Sequence, residues 1–121
     1  MFINLSNHSH PTWNAEQLAA AAEYGEVCDL QFPEVPAAAD EAWVCETADT
    51  LYRDISERQP AAVLVQGEMS LAFAVVSRLL KNGITVVCAT SERRCDTVLV
   101  SDGSVERRSV FRFVRFREYR Y

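Results

Sequence analysis

Two stretches decide the fold: Ala61-Ala62-Val63-Leu64-Val65-Gln66-Gly67-Glu68 and, further along, Gly83-Ile84-Thr85-Val86-Val87-Cys88-Ala89. The first opens on a continuous apolar run, the pattern of a strand covered on both faces. The turn Gln66-Gly67-Glu68 leads into a segment from about Met69 to Asn82. There Leu71, Val75, Val76 and Leu79 recur at helical spacing, and Gly83 is placed to cap the C-terminus. Ile84–Ala89 is a second buried run, and Thr90-Ser91-Glu92-Arg93 is expected to be the loop that closes it. Strand, helix and strand at this spacing form a βαβ unit, which requires parallel strands and a right-handed crossover.

Toward the N-terminus the same alternation repeats. Phe2-Ile3-Asn4-Leu5 reads as a short strand, followed by a polar loop, Ser6-Asn7-His8-Ser9-His10-Pro11-Thr12. Thr12 or Asn14 can cap a helix through about Tyr24, with Leu18, Ala21 and Ala22 on one face and Gly25 ending it. Glu26–Leu30 is a second strand, and Phe32-Pro33-Glu34-Val35-Pro36 a stiff connection. A longer amphipathic helix is predicted from about Asp40 to Arg58, with Trp43, Ala48, Leu51 and Ile55 on one face. Toward the C-terminus, Thr97–Val100, the turn Ser101-Asp102-Gly103-Ser104, and Val105 through Tyr119 read as a hairpin around an Asp-Gly turn. In its second arm the alternation slips at Val114-Arg115, which predicts a bulge or a strand covered on both faces. The whole is an α/β chain: one domain over residues 1–121, small, Rossmann-like and three-layered. Its sheet is mainly parallel, with four parallel strands, and a C-terminal antiparallel hairpin completes it.

Composition agrees. The chain has 121 residues, 49% hydrophobic and 24% charged, which suits one globular domain and excludes a disordered or collagen-like protein. No apolar run reaches the ~20 residues that span a bilayer, and the opening Met1–His8 has neither a basic n-region nor a long apolar one. No membrane span and no signal peptide are therefore expected, and the compartment expected is the cytoplasm. The charge is divided: residues 1–60 carry 11 acids and 2 bases, residues 61–121 carry 6 acids and 10 bases. Six arginines fall between Arg107 and Arg120; the plainer reading of them is a solvated edge strand protected from aggregation. Cys28, Cys45, Cys88 and Cys95 form no C-x-x-C pair and read as reduced thiols, Cys28 and Cys88 within buried strands.

In sheets of this kind ligands bind outside the carboxyl ends of the strands, near the switch in strand order. That rule gathers three loops: Ser6 to His10, Gln66-Gly67-Glu68, and Thr90-Ser91-Glu92-Arg93. Gly67 opens a helix but lacks the dinucleotide and phosphate-loop fingerprints, so ordinary NAD and ATP chemistry is disfavoured. His8 can donate a proton near neutrality, whereas His10 more simply supports the loop. Glu68 is either a base or a residue favoured by the helix dipole. Ser6 and Asn7 offer a hydroxyl and an amide, and Arg93 a fork of donors for phosphate. His8, His10 and Glu68 are the only metal constellation, with a spacing that is not diagnostic; no metal and no cofactor are expected. The residues alone give a polar, phosphate-tolerant pocket without naming a reaction.

Several segments resemble small CRISPR-accessory proteins of the CARF (CRISPR-associated Rossmann fold) group. They are Phe2–His8, Trp13 with Gln17, Val65-Gln66-Gly67-Glu68, Thr90-Ser91-Glu92-Arg93 and the closing Val110–Tyr119. The resemblance covers nearly the whole chain. It implies a cytoplasmic homodimer that binds cyclic oligoadenylate, the messenger of type III CRISPR systems. Some small members of the group are ring nucleases, which end antiviral signalling by letting the ligand's own 2′-hydroxyl attack the adjacent phosphate. Mapped onto these loops, His8, Glu68 and Arg93 become catalytic: His8 the acid, Glu68 the base or the group that orients the 2′-hydroxyl, and Arg93 the charge stabiliser. Ser6, Asn7, His10, Gln66, Gly67, Thr90, Ser91 and Glu92 become ligand contacts. The departure from the pattern is the lack of a lysine on any site loop, Lys81 being on a helix.

Other classes compete with this reading. One is a nucleotide sensor that does not cut; another is a module that docks its Arg- and Phe-rich tail on protein or RNA. The acidic total argues against general nucleic-acid binding. A third is a hydrolase of a different phosphorylated molecule.

Overall fold

The structure is a computed structural model that describes the backbone of residues 1–121 and every side chain except that of Asp96. Strand β1 (Phe2–Ser6) leads through a single 3-10 turn (His10–Thr12) into α1 (Ala15–Ala22) and then β2 (Val27–Gln31). Helix α2 (Glu41–Glu57), β3 (Ala62–Val65), α3 (Met69–Lys81), β4 (Val86–Leu99) and β5 (Val105–Glu118) follow. The chain makes one five-stranded sheet in the order β2-β1-β3-β4-β5. The first four strands are parallel, and β5 runs antiparallel to β4. This is the α/β, Rossmann-like architecture that the alternating elements predict.

The helix starts follow from local chemistry. Asn14 and Asp40 each cap a helix, their side-chain oxygens accepting from the backbone N–H of Gln17 (2.9 Å) and Trp43 (2.9 Å). Gly83, at φ +75°, takes the left-handed turn that stops α3.

Strand alternation then sorts the core into two layers. Ile3, Leu5, Val63, Val65 and Val86 face α2 and α3, and pack with Ala48, Ile55, Leu71, Val75 and Leu79. Phe2, Ala62, Leu64 and Val87 face the other way, toward Ala21 of α1 and toward Phe113 and Phe116 of β5. Phe2 stands at the centre of an aromatic group, 5.4 Å from the Tyr24 ring and 5.1 Å from that of Phe116.

One sequence expectation is corrected. Thr90-Ser91-Glu92-Arg93 is not a loop: β4 runs unbroken from Val86 to Leu99, so the fourth parallel strand and the first hairpin arm are one element. The polar tetrapeptide looks like a terminator, but β5 pairs with it along its whole length and satisfies its backbone groups. The expected bulge is present. Thr90 pairs with Arg115 and Ser91 with Phe113, which leaves Val114 as the extra residue. Beyond the next pair, Ser91 with the buried Phe113, β4 and β5 continue as a two-stranded ribbon outside the layers.

Candidate functional site

The strand order places β1 and β3 side by side, with the chain leaving β1 toward β2 on one flank and reaching β4 on the other. The crevice this creates opens on the α1 side, above the carboxyl ends of β1, β3 and the parallel part of β4. It is a cleft of about 700 Å³, within the range of small-molecule sites. Its walls come from the loop after β1 (Ser6, Asn7, His8), the entry to α1 (Trp13, Asn14, Gln17), the turn after β3 (Gln66, Gly67) and the ribbon (Ser91, Phe111, Phe113).

The β1 loop is held from below by a buried polar network. Asn4, 1% exposed and on the cleft-side face of β1, donates from Nδ2 to the carbonyl of His8 (2.8 Å) and to Asp29 Oδ1 (2.8 Å). Ser6 Oγ donates to Asn4 Oδ1 (2.7 Å) and accepts from the His8 N–H (3.2 Å). Trp13 Nε1 adds a third hold, donating to the same His8 carbonyl at 3.1 Å. The backbone of His8 is thus fixed from both sides; the residue lines the cleft, and among the described residues its ring makes no hydrogen bond. The network fixes the backbone from which the side chain projects.

His10 is differently engaged. Its Nδ1 lies 2.7 Å from Asp29 Oδ2, and its backbone N–H donates to Asp29 Oδ1 at 3.1 Å. Partial burial pushes the Asp29 carboxyl up, but the hydrogen bonds from Asn4 and His10 outweigh it and hold the group below the usual carboxylate range. Glu68 is the N-cap of α3, its oxygens accepting from Ser70 Oγ (2.6 Å), the Leu71 N–H (2.9 Å) and the Ser70 N–H (3.1 Å). The Ser70 hydroxyl, then the Leu71 and Ser70 amides, lower its acidity range. It lines a smaller cleft beside Phe32 on the opposite side of the turn. His8, His10 and Glu68 therefore do not come together.

The remaining sequence candidates divide by strand parity. Ser91 shares the cleft-side face with Ala89, while Thr90 points the other way and donates to the Arg115 carbonyl at 2.9 Å. Glu92 pairs with Arg94 at 2.8 Å. Arg93 lies over the Phe111 ring, 5.7 Å from its centroid, at the margin of the cleft. Gly67 has a packing reason for its identity, since a Cβ there would lie 2.5 Å from the Phe32 ring.

Of the predicted site residues, Ser6, Asn7, His8, Gln66, Gly67 and Ser91 converge on one cleft; His10, Glu68, Thr90 and Glu92 do not. The sequence reading missed Asn14 and Phe111. Asn14 reads from the sequence as a cap alone, yet the first turn of a helix that follows β1 necessarily borders the strand-end crevice. Phe111 gave no signal, because its place depends on the length of the ribbon.

All five strands and three α-helices, up to the penultimate residue of β5, fall within one family model. The chain belongs to the MJ1673 family. The family model, described as the uncharacterized protein MJ1673 family, matches residues 1–117. No curated protein and no solved structure matches the chain. The MJ1673 match includes every residue that lines the α1-side cleft. Among the described residues, no helix is long and apolar enough to cross a membrane.

Proposed function

We propose that the protein is a cytoplasmic, homodimeric ring nuclease that binds a cyclic oligoadenylate in the α1-side cleft and opens it, switching off type III CRISPR signalling. The observation that carries the reading is the cleft itself. At the strand-order switch, a histidine with a fixed backbone and an unengaged ring lines a pocket walled by amide and aromatic residues. No carboxylate is among the lining residues to repel a phosphate.

In this mechanism the ligand's 2′-oxygen attacks the adjacent phosphorus in line and gives up its proton to solvent water in the open cleft. The bond to the 5′-oxygen breaks, and the departing oxygen takes a proton from His8. The products are linear, with a 2′,3′-cyclic phosphate. The protein supplies orientation and a proton. Glu68 is a poor candidate for the base, because three donors already stabilise its carboxylate. Arg93 reaches the ligand only from the margin, beside Phe111. A ring of several nucleotides is bulkier than the ligand one such cleft holds, so two copies share it. The exposed apolar side chains of the ribbon, Val110 and Phe111 among them, provide surface for that contact.

Incubation with cyclic tri-, tetra- and hexa-adenylate, with and without EDTA, tests this. Linear 2′,3′-cyclic phosphate products that persist in EDTA are expected, and intact rings in every sample would refute cleavage. A second reading, a sensor that binds without cutting, is favoured by one observation: no Lys or Arg is among the lining residues. Stoichiometric binding of an uncut ring would select it.

A further inference from the structure

Four amide residues, Asn7, Asn14, Gln17 and Gln66, line the cleft, and in all but Gln17 the side-chain oxygen is already committed to the protein. Asn14 Oδ1 accepts from the Gln17 N–H (2.9 Å), Gln66 Oε1 from the Ala89 N–H (3.2 Å), and Asn7 Oδ1 from Gln31 Nε2 (3.0 Å). A backbone N–H can only donate, so the oxygens of Asn14 and Gln66 must face inward and their NH2 groups outward. Among the described residues, none of the three NH2 groups has a protein acceptor. All three side chains belong to exposed residues on the cleft wall, where water can serve the free donors until a ligand arrives.

We infer that the cleft recognises phosphate oxygens through these oriented, neutral amide donors rather than through fixed cations. Three fixed donors and no carboxylate select a ligand rich in acceptors. Because no Lys or Arg lines the wall, little counterion is released on binding, and the affinity depends weakly on salt. The inference uses the same cleft as the ring-nuclease reading and gives its mode of phosphate recognition, but it does not require cleavage.

Asn14→Asp and Gln66→Glu separate the donor from the fold. Each keeps an oxygen where the backbone N–H needs one, Asp caps a helix as well as Asn does, and only the outward donor becomes an acceptor. Calorimetric titration of the full chain with adenosine, 5′-AMP and cyclic tetra-adenylate reads the effect. In wild type, 5′-AMP should bind more tightly than adenosine. Each variant should weaken 5′-AMP and the ring by about tenfold or more while leaving adenosine within about threefold, since a donor to a charged oxygen is replaced by a carboxylate. Wild-type affinity for 5′-AMP should fall less than about threefold between about 50 and about 200 mM salt. Wild-type-like phosphate binding by both variants, equal binding of adenosine and 5′-AMP, or no binding of either phosphate probe would overturn the inference. If 5′-AMP shows the expected pattern while every ring stays unbound, the ring-nuclease reading fails and the amide-donor inference stands.

Discussion

The β4–β5 ribbon is two environments joined by one hydrogen-bond ladder. At its root, Val86, Val87, Phe113 and Phe116 are buried against the helices and β1. Beyond the Ser91–Phe113 pair, the first past the Val114 bulge, Leu99, Val105, Val110 and Phe111 are 75%, 60%, 45% and 74% exposed. The backbone pairing is the same in both halves, so pairing between two β-prone arms is enough to extend the strands, whereas layer packing needs a helix on each face. The root carries stability. The outer half carries surface, including the Phe111 wall of the cleft.

The largest expected effect lies at the root. Phe116→Ala should cost about 3–5 kcal/mol, the usual loss for a buried phenylalanine, and Phe111→Ala should stay within about 0.5 kcal/mol, as exposed substitutions do. Urea unfolding of the two variants checks the contrast, and equal losses would erase it. Gly67→Ala comes next. Its Cβ would press on the Phe32 ring, and the strain should cost about 1–3 kcal/mol, read as a lowered thermal midpoint.

Shortening the ribbon should matter less. Removing Val98-Leu99 together with their cross-strand partners Val105-Glu106 should change the unfolding free energy, read by urea titration, by no more than about 0.5 kcal/mol. A collapse of the fold would show that the outer ladder supports the root. The smallest effect is acid sensitivity. Asp29 in the body and Asp102 in the ribbon's turn both have carboxyls held below the usual range, Asp102 by the Ser104 hydroxyl and then its amide. Stability from a lowered carboxyl is fully present above its unfolded value, near 3.8 here, and is lost as the pH falls through the folded one. Melting curves between about pH 5 and pH 2 should therefore decline, less steeply in Asp29→Asn. Asp102→Asn, at an exposed turn, should change the slope less than Asp29→Asn does.

Much of this was legible in the sequence because periodicity reports burial. The runs at Ala61–Val65 and Ile84–Ala89 and the helical spacing between them determined the parallel core, and the slipped alternation at Val114-Arg115 revealed the bulge. The tetrapeptide Thr90–Arg93 misled, since polar residues on an exposed ladder look like a loop until their pairing partner is known. The same limit applies to the site. His8, Asn7 and Gln66 follow from the rule for strand ends, but the commitment of Glu68 to its own helix and of His10 to Asp29 depends on distances that no spacing encodes. Asn4 is the clearest case: a polar residue in an apolar strand whose network, not its position, explains it.

The central claim is that the cleft holds its ligand with the wall and reacts through His8. The most direct test is His8→Ala, measuring cleavage of the bound cyclic oligoadenylate and its dissociation constant on the same samples. The account predicts that cleavage slows by about 10²–10⁴-fold, as for loss of a general acid, while affinity changes by less than about threefold. Cleavage at the wild-type rate would remove His8 from the reaction and contradict the account.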